Sequence, residues 1–429
     1  MTKHGSDNGN DGGSDNERNT GMTTRRTIAP GELDTLDLAD PRLHAESDLS
    51  AVWRHLREHE PVHWNPATGS APGFWVVTRH ADVTSVYRDS TRFTSEGGNV
   101  LETLLAGGDS AAGRMLAITD GQRHAGLRRI LMSAFTPRAL EPIVASVRGT
   151  VQRLLRDAIE KGTCDFAADV AAGIPLGAIC DLLGVPDSDR AHVLSLTSSA
   201  LGSHQADSTA ADAWIAKSEI LLYFAGLARD RREGGHADVI ALLAGSEVNG
   251  LPLDDDEIML NCYSLILGGD ETARLSMVGA ALALLEHPDQ WRALKRGDVS
   301  IDTAVEEMLR WTTPALHSGR TATTDTEIAG HPIRTGDIVT IWNASANHDE
   351  RVFDAPDRLR LDRVPNKHIT FAYGPHFCLG AYLARAEIGA VLAGLRDLVA
   401  EWEQTGPARP VYSNFLSGLS SLPLALKGT

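Results

Sequence analysis

The longest helical run in the chain, residues 254–286, limits what the rest can fold into. Asp254 stands where an N-cap belongs, and Glu257, three residues on, can reach back to it in the capping-box spacing. His287-Pro288 stops the run. At 1.5 Å per residue such a helix is about 50 Å long. It is apolar on nearly every face, so it is predicted to cross the core rather than lie on the surface. Its middle reads Gly268-Gly269-Asp270-Glu271-Thr272. Each glycine there weakens the helix by ~1 kcal/mol, and buried carboxylates need partners. Read from the residues alone, the notch fits a hinge, a glycine-mediated helix contact or a functional kink about equally well.

With 429 residues, 42% hydrophobic and 23% charged, the chain has the composition of a soluble globular protein. No apolar run approaches the ~20 residues that span a bilayer, and no signal peptide is expected. Cys164, Cys180, Cys262 and Cys378 show no paired spacing, which fits a reducing cytoplasm. A net charge of −17 argues against a nucleic-acid partner. Residues 1–28 are polar and glycine-rich and are expected to be a disordered tail. A helix is expected over residues 48–60, strands over 62–64, 74–78, 320–322, 327–328 and 338–342, and a mobile glycine-flanked loop over 95–113. Residues 122–285 read as almost wholly helical. No linker interrupts residues 29–429, which are read as one mostly helical domain with small sheets.

Cys378 lies in Phe371-Ala372-Tyr373-Gly374-Pro375-His376-Phe377-Cys378-Leu379-Gly380, ahead of the helical run Ala381 to Ile388. Glycine and proline force a tight loop there. The helix mouth favours an anion, so a thiolate is expected, the form of cysteine that binds metal. A zinc site with His376 is a poor alternative, because no further ligand pair is spaced to help.

This loop resembles the haem-ligand loop of the cytochrome P-450 superfamily, F-x-x-G-x-[HR]-x-C-x-G, through Phe371, Gly374, His376, Cys378 and Gly380. Ala372 departs from the pattern, standing where most members carry glycine. Gly268, Gly269, Glu271 and Thr272 match the family's oxygen-binding kink. Glu307 and Arg310 match its E-x-x-R pair, and Phe353 to Arg358 its later irregular stretch. His124 and Arg128 match the propionate-binding H-x-x-x-R, with Arg320 and His376 at the remaining donor positions. The motifs run in the family's order from His124 to Gly380.

The resemblance implies the P-450 fold, a single triangular-prism-like domain, and a monomer without nucleic-acid or membrane partner. It implies heme b with Cys378 as the iron ligand, and Thr272 and Glu271 as the proton relay. Glu307, Arg310 and Arg358 would form a structural triad, while Asp270 would point away from the cavity that Thr272 lines. The implied reaction is oxygen insertion into a small organic substrate. Electrons would come from NAD(P)H through a separate ferredoxin reductase and ferredoxin, docked by Arg128, Arg129, Arg363, Lys367 and Arg385. Substrate contacts are expected from Leu101, Leu104, Leu105, residues 199–205 with His204, Leu265, Ala315, His317, Phe415 and Leu416. Residues 413–419 resemble bacterial members that tailor secondary metabolites, some acting on carrier-bound amino acids. The alternatives are a peroxide-driven or cross-linking haem oxidase and a non-enzymatic haem-binding protein.

Overall fold

The computed structural model of the protein describes residues 25–200 and 210–429, together with Met1. Among the described residues, the principal core is built largely by α1 (Gly121–Ala134), α2 (Pro137–Lys161), α3 (Gly173–Leu183), α4 (Ala210–Arg232), α5 (Asp255–Glu286), α6 (Ile301–Thr312) and α7 (Ala381–Leu398), with shorter helices adding to it. α5 starts and stops where its end signals place it. Asp254 Oδ1 accepts the Glu257 N–H at 2.8 Å, and Glu257 Oε2 accepts the Asp254 N–H at 3.1 Å. α3, α4, α6 and α7 all pack on α5, which is what a helix apolar all round requires. The stretch Phe166–Leu183 is long and apolar enough to cross a membrane, with mean hydropathy 1.6, but 67% of it is buried inside the protein, the mark of a core helix.

Beside the helices lies a five-stranded sheet of β1 (Val62–Asn65), β2 (Phe74–Val77), β3 (Phe93–Thr94), β4 (His317–Ala322) and β5 (Ile338–Trp342). Its order is β1-β2-β5-β4-β3, with β2 and β5 parallel and the other pairs antiparallel. β4 begins three residues before the expected Arg320, because its pairing with β5 extends to His317 opposite Trp342. A second core under this sheet gathers Trp53, Leu56, Phe74 and Trp342. Packing also reaches further toward the N-terminus than expected. Arg26–Thr27 pairs with Ser47–Asp48, and Ile28 is buried. The rest of the expected tail, and His204 with residues 201–205 of the expected substrate region, lie outside the described residues.

Residues 95–118 are not a free loop. They hold a short helix, Leu101–Leu105, and are clasped to the start of α5. Asn261 Oδ1 accepts the Leu116 N–H at 2.9 Å, and its Nδ2 donates to Arg114 O at 3.0 Å. The Arg114 guanidinium donates to Asp254 at 3.1 Å and to Asp256 at 3.0 Å, while Arg123 pairs with Glu257.

Candidate active site

The cysteine loop is held by backbone constraints. Gly374 has φ +70°, and a Cβ there would lie 2.7 Å from Tyr87 O, so only glycine fits. Ala372 adopts φ +60°. The left-handed region costs an L-residue roughly 1–2 kcal/mol, so the alanine follows the backbone path of the glycine it replaces, at a strain cost. The Cys378 N–H donates to Phe371 O at 2.9 Å, and Gly380 caps α7. Burial raises the thiol pKa of Cys378 more than the Gly380 N–H, Arg128 and Arg385 lower it. The helix mouth therefore does not by itself make this sulfur a thiolate, contrary to expectation. A coordinated metal would.

Cys378, Phe371 and Gly380 line a cavity of about 1380 Å³, mouth included, together with Gly268, Gly269, Thr272 and Leu265 of α5. No atom lies within 4 Å of a Cβ built on Gly268, whereas one on Gly269 would meet Ile179 of α3 at 3.2 Å. One glycine keeps the cavity open and the other lets α3 close on α5. α5 runs unbroken through the notch. Thr272 Oγ1 donates to Gly268 O at 2.9 Å, satisfying a carbonyl one turn back. Glu271 does not line the cavity; it is buried against Arg274, whose Nε lies 3.1 Å from Oε2. That i,i+3 pair was open to sequence reasoning and was missed. Asp270 is buried as well, and its Oδ1 has no partner.

The four expected anion donors converge near the cysteine loop. His124 Nε2 is buried without a partner. Burial, then His376 and Arg128, hold its pKa at about 4, so it is neutral. Its ring lies 4.3 Å from that of His376, whose Nε2 is 2.7 Å from Asp120 Oδ1. Arg128 Nη2 donates to Phe377 O at 2.6 Å. Arg320 is buried over the Tyr87 ring and donates to Gly319 O, with no ion-pair acid among the described residues. His124 and Arg320 are thus buried donors without an anion, which is costly, whereas His376 already has Asp120. A ligand bearing carboxylate arms supplies what this cluster lacks, so the residues present fit a haem.

The brace behind the loop differs from the expected triad in one member. Glu307 and Arg310 are fully buried and joined by two bonds, Nε–Oε2 at 2.8 Å and Nη2–Oε1 at 2.9 Å. The third guanidinium is that of Arg363, 3.0 Å from Glu307 Oε2, and not that of Arg358. Arg358 is exposed and contributes only its carbonyl, which accepts from Arg363 Nη2 at 2.9 Å. The chain turns back after Arg360, whose N–H also caps Glu307 at 2.9 Å, and this carries Arg363 inward. Arg363 is thereby withdrawn from the expected basic docking face, and Arg385 is engaged with Glu306.

Six of the eight single residues expected in the pocket, Leu101, Leu104, Leu105, His317, Phe415 and Leu416, lie outside its lining. Leu101 and Leu104 are buried, and Leu105 partly so, in the core under the sheet; from that segment Asn99, Leu116 and Ala117 line the cavity instead. His317 is fully buried between Trp342 (4.8 Å) and Phe415 (5.7 Å), behind the cavity wall. Phe415 and Leu416 pack on Leu275 and Val411. Leu416 reaches the site only through its bridge to Ala315, which does line the cavity with Leu265. Ser264 and Asn343 are lining residues the sequence did not mark.

A mostly helical fold sets the cysteine loop, the notched core helix and His124 around one cavity, an arrangement suited to an enzyme that holds a large metal-bearing cofactor. The cytochrome P450 family pattern matches residues 300–396. Cytochrome P450 NovI of Streptomyces niveus is 54% identical over 407 residues, covering 95% of this chain and 100% of that protein. Linalool 8-monooxygenase of Pseudomonas putida is 32% identical over 91% of this chain and 98% of its own. The crystal structure of P450 OxyD, involved in the biosynthesis of vancomycin-type antibiotics, superposes with a TM-score of 0.84 at 33% identity, covering 92% of this chain and 100% of OxyD. The chain belongs to the cytochrome P450 family. It is a P450 monooxygenase, and membership implies a thiolate-ligated haem, a small-molecule substrate and redox partners.

Proposed function

We propose that this enzyme inserts one oxygen atom of O2 into a small organic substrate, by hydroxylation or epoxidation, in secondary-metabolite biosynthesis. The observation that carries the reading is the sulfur of Cys378 sharing one cavity with Thr272 and the open side of Gly268. A thiolate-ligated haem, when bound, supplies the oxygen activation. Cys378 would hold its iron, and His124, Arg128, Arg320 and His376 its carboxylates. Thr272 Oγ1 holds a proton at the cavity wall, and its bond to Gly268 O is one it can give up to a ligand. In this reading the Glu271 carboxyl, next to Thr272 in the chain and bonded to Arg274, takes up a proton from solvent and passes it on to Thr272. Thr272→Ala is expected to lower product yield on the order of 100-fold, read as product formed per NAD(P)H consumed, with substrate affinity unchanged. An unaltered yield would remove Thr272 from the relay.

Electrons reach the site from NAD(P)H through ferredoxin reductase and ferredoxin in this reading. Arg129 and Lys367 are exposed, and Met132, Tyr373 and Phe377 give the same face apolar area. Arg129→Glu is expected to slow ferredoxin-supported turnover severalfold at low salt, with the deficit shrinking as salt screens the encounter. Turnover with reductase, ferredoxin and NAD(P)H, compared with turnover on peroxide alone, tests the oxygen-dependent reading. A bound carrier protein on the similar P450BioI (TM-score 0.79, 26% identity) supports a substrate delivered on a carrier. The reading includes a cytoplasmic monomer in which residues 29–429 act as one domain.

A further inference from the structure

The helix Ser50–His59 ends in His55-Leu56-Arg57-Glu58-His59. Histidines four apart share one face of a helix, and Glu58, three residues after His55, lies on that face too. The order is H-x-x-E-H, the reverse of the H-E-x-x-H in which a helix offers two imidazoles to zinc. The two rings stand 4.8 Å apart, inclined at 50°. His59 Nε2 is 3.6 Å from Glu58 Oε2, and these side chains are 57% and 64% exposed. His55 is half-buried. Among the described residues no three histidine, cysteine or carboxylate side chains are gathered closely enough for a metal ion, so the two imidazoles alone must carry the grip.

Helix ends fray because their last carbonyls lack partners. This end is held. Arg79 Nε donates to Arg57 O at 2.6 Å, and its Nη2 donates to Glu58 O at 3.1 Å. On the opposite face the buried Arg57 is bonded to Glu350 at 2.8 Å and to Ser345 O at 3.1 Å, and the Trp53 ring packs 4.7 Å from that of Trp342. Arg54 is taken by Asp357. The neighbouring guanidinium groups are thus engaged elsewhere. The spacing of His55 and His59 is set in advance, so an ion has only side chains to order.

We propose that His55 and His59 chelate a divalent transition-metal ion of the zinc and copper class, with Glu58 supplying negative charge beside it and water completing the coordination. Imidazole suits these ions, and a ring nitrogen meets zinc at about 2.0–2.1 Å. Small turns about the side-chain bonds bring both rings onto one ion. On an open helix face the site holds an ion and does no hydrolysis. Its effect is to pin the helix end, since an ion bound by the folded chain stabilises it.

Calorimetric titration of the holoenzyme, free of any added histidine tag, with Zn2+ makes the test. His55→Ala and His59→Ala are each expected to lose one equivalent of bound ion relative to the natural chain. His63→Ala, in the strand that follows, is expected to lose none, and Glu58→Gln to keep that equivalent with severalfold weaker affinity. The haem absorption of each variant checks that it is folded. Equal stoichiometry in the natural chain and in both His55→Ala and His59→Ala overturns the proposal. Should His55→Ala fail to fold, His59→Ala decides, because that side chain is exposed.

Discussion

Cys378→Ala is expected to yield a folded chain that has lost the thiolate signature of its reduced carbon monoxide complex and essentially all turnover. The side chain is small and lies in a loop whose path is set by other groups: the Cys378 N–H on Phe371 O, Gly374 against Tyr87, and the Glu307 brace. Removing the sulfur therefore costs the fold little. Losing a partner one step removed from a metal already costs roughly 10–100-fold, and the loss of the ligand itself should exceed that. Optical spectra of the reduced carbon monoxide complex, set beside thermal unfolding of the same sample, make the check. A variant that kept both pigment and turnover would refute the assignment of Cys378.

Arg363→Ala is expected to destabilise the protein by about 3–5 kcal/mol, the range for breaking a buried ion network by removing one partner. It leaves Glu307, which has no exposure at all, short of a cation, and strips donors from the carbonyls of Asp354, Ala355 and Arg358. Arg358→Ala, five residues earlier, is expected to change stability by less than about 0.5 kcal/mol, as exposed substitutions do. Denaturant unfolding of the two variants reads the contrast. Equal losses would restore the triad the motif suggests. Haem retention should follow the same order, because the network anchors the irregular stretch that precedes the cysteine loop.

The contrast between these arginines shows where sequence reading reached and where it stopped. The bounds of α5 were legible because capping and proline are local chemistry carried by neighbouring residues. The cysteine loop and the notch were legible as tight spacings. In the irregular stretch before the loop no periodicity says which arginine turns inward, and five residues separated the guess from the guanidinium that pairs. Leu101 and Leu104 were read toward the substrate because they sit in a glycine-flanked segment. Their apolar surface is better removed from water under the sheet, which leaves Asn99 and Ala117 to the cavity. His317 was misplaced because β4 begins earlier than its strand signal, and pairing opposite Trp342 fixes its face.

The clasp between residues 95–118 and α5 sets how ionic strength acts on the enzyme. Its outer bonds, Arg114 to Asp254 and Asp256, involve side chains that are 38%, 62% and 64% exposed, while the Asn261 bonds beneath them are buried. Salt weakens exposed ion pairs and leaves buried amide bonds alone. A more saline medium thus loosens the outer part of this clasp while the Asn261 bonds beneath, next to the lining residue Leu116, stay fastened. If the proposed acidic ferredoxin docks at Arg129, the same medium also slows its arrival.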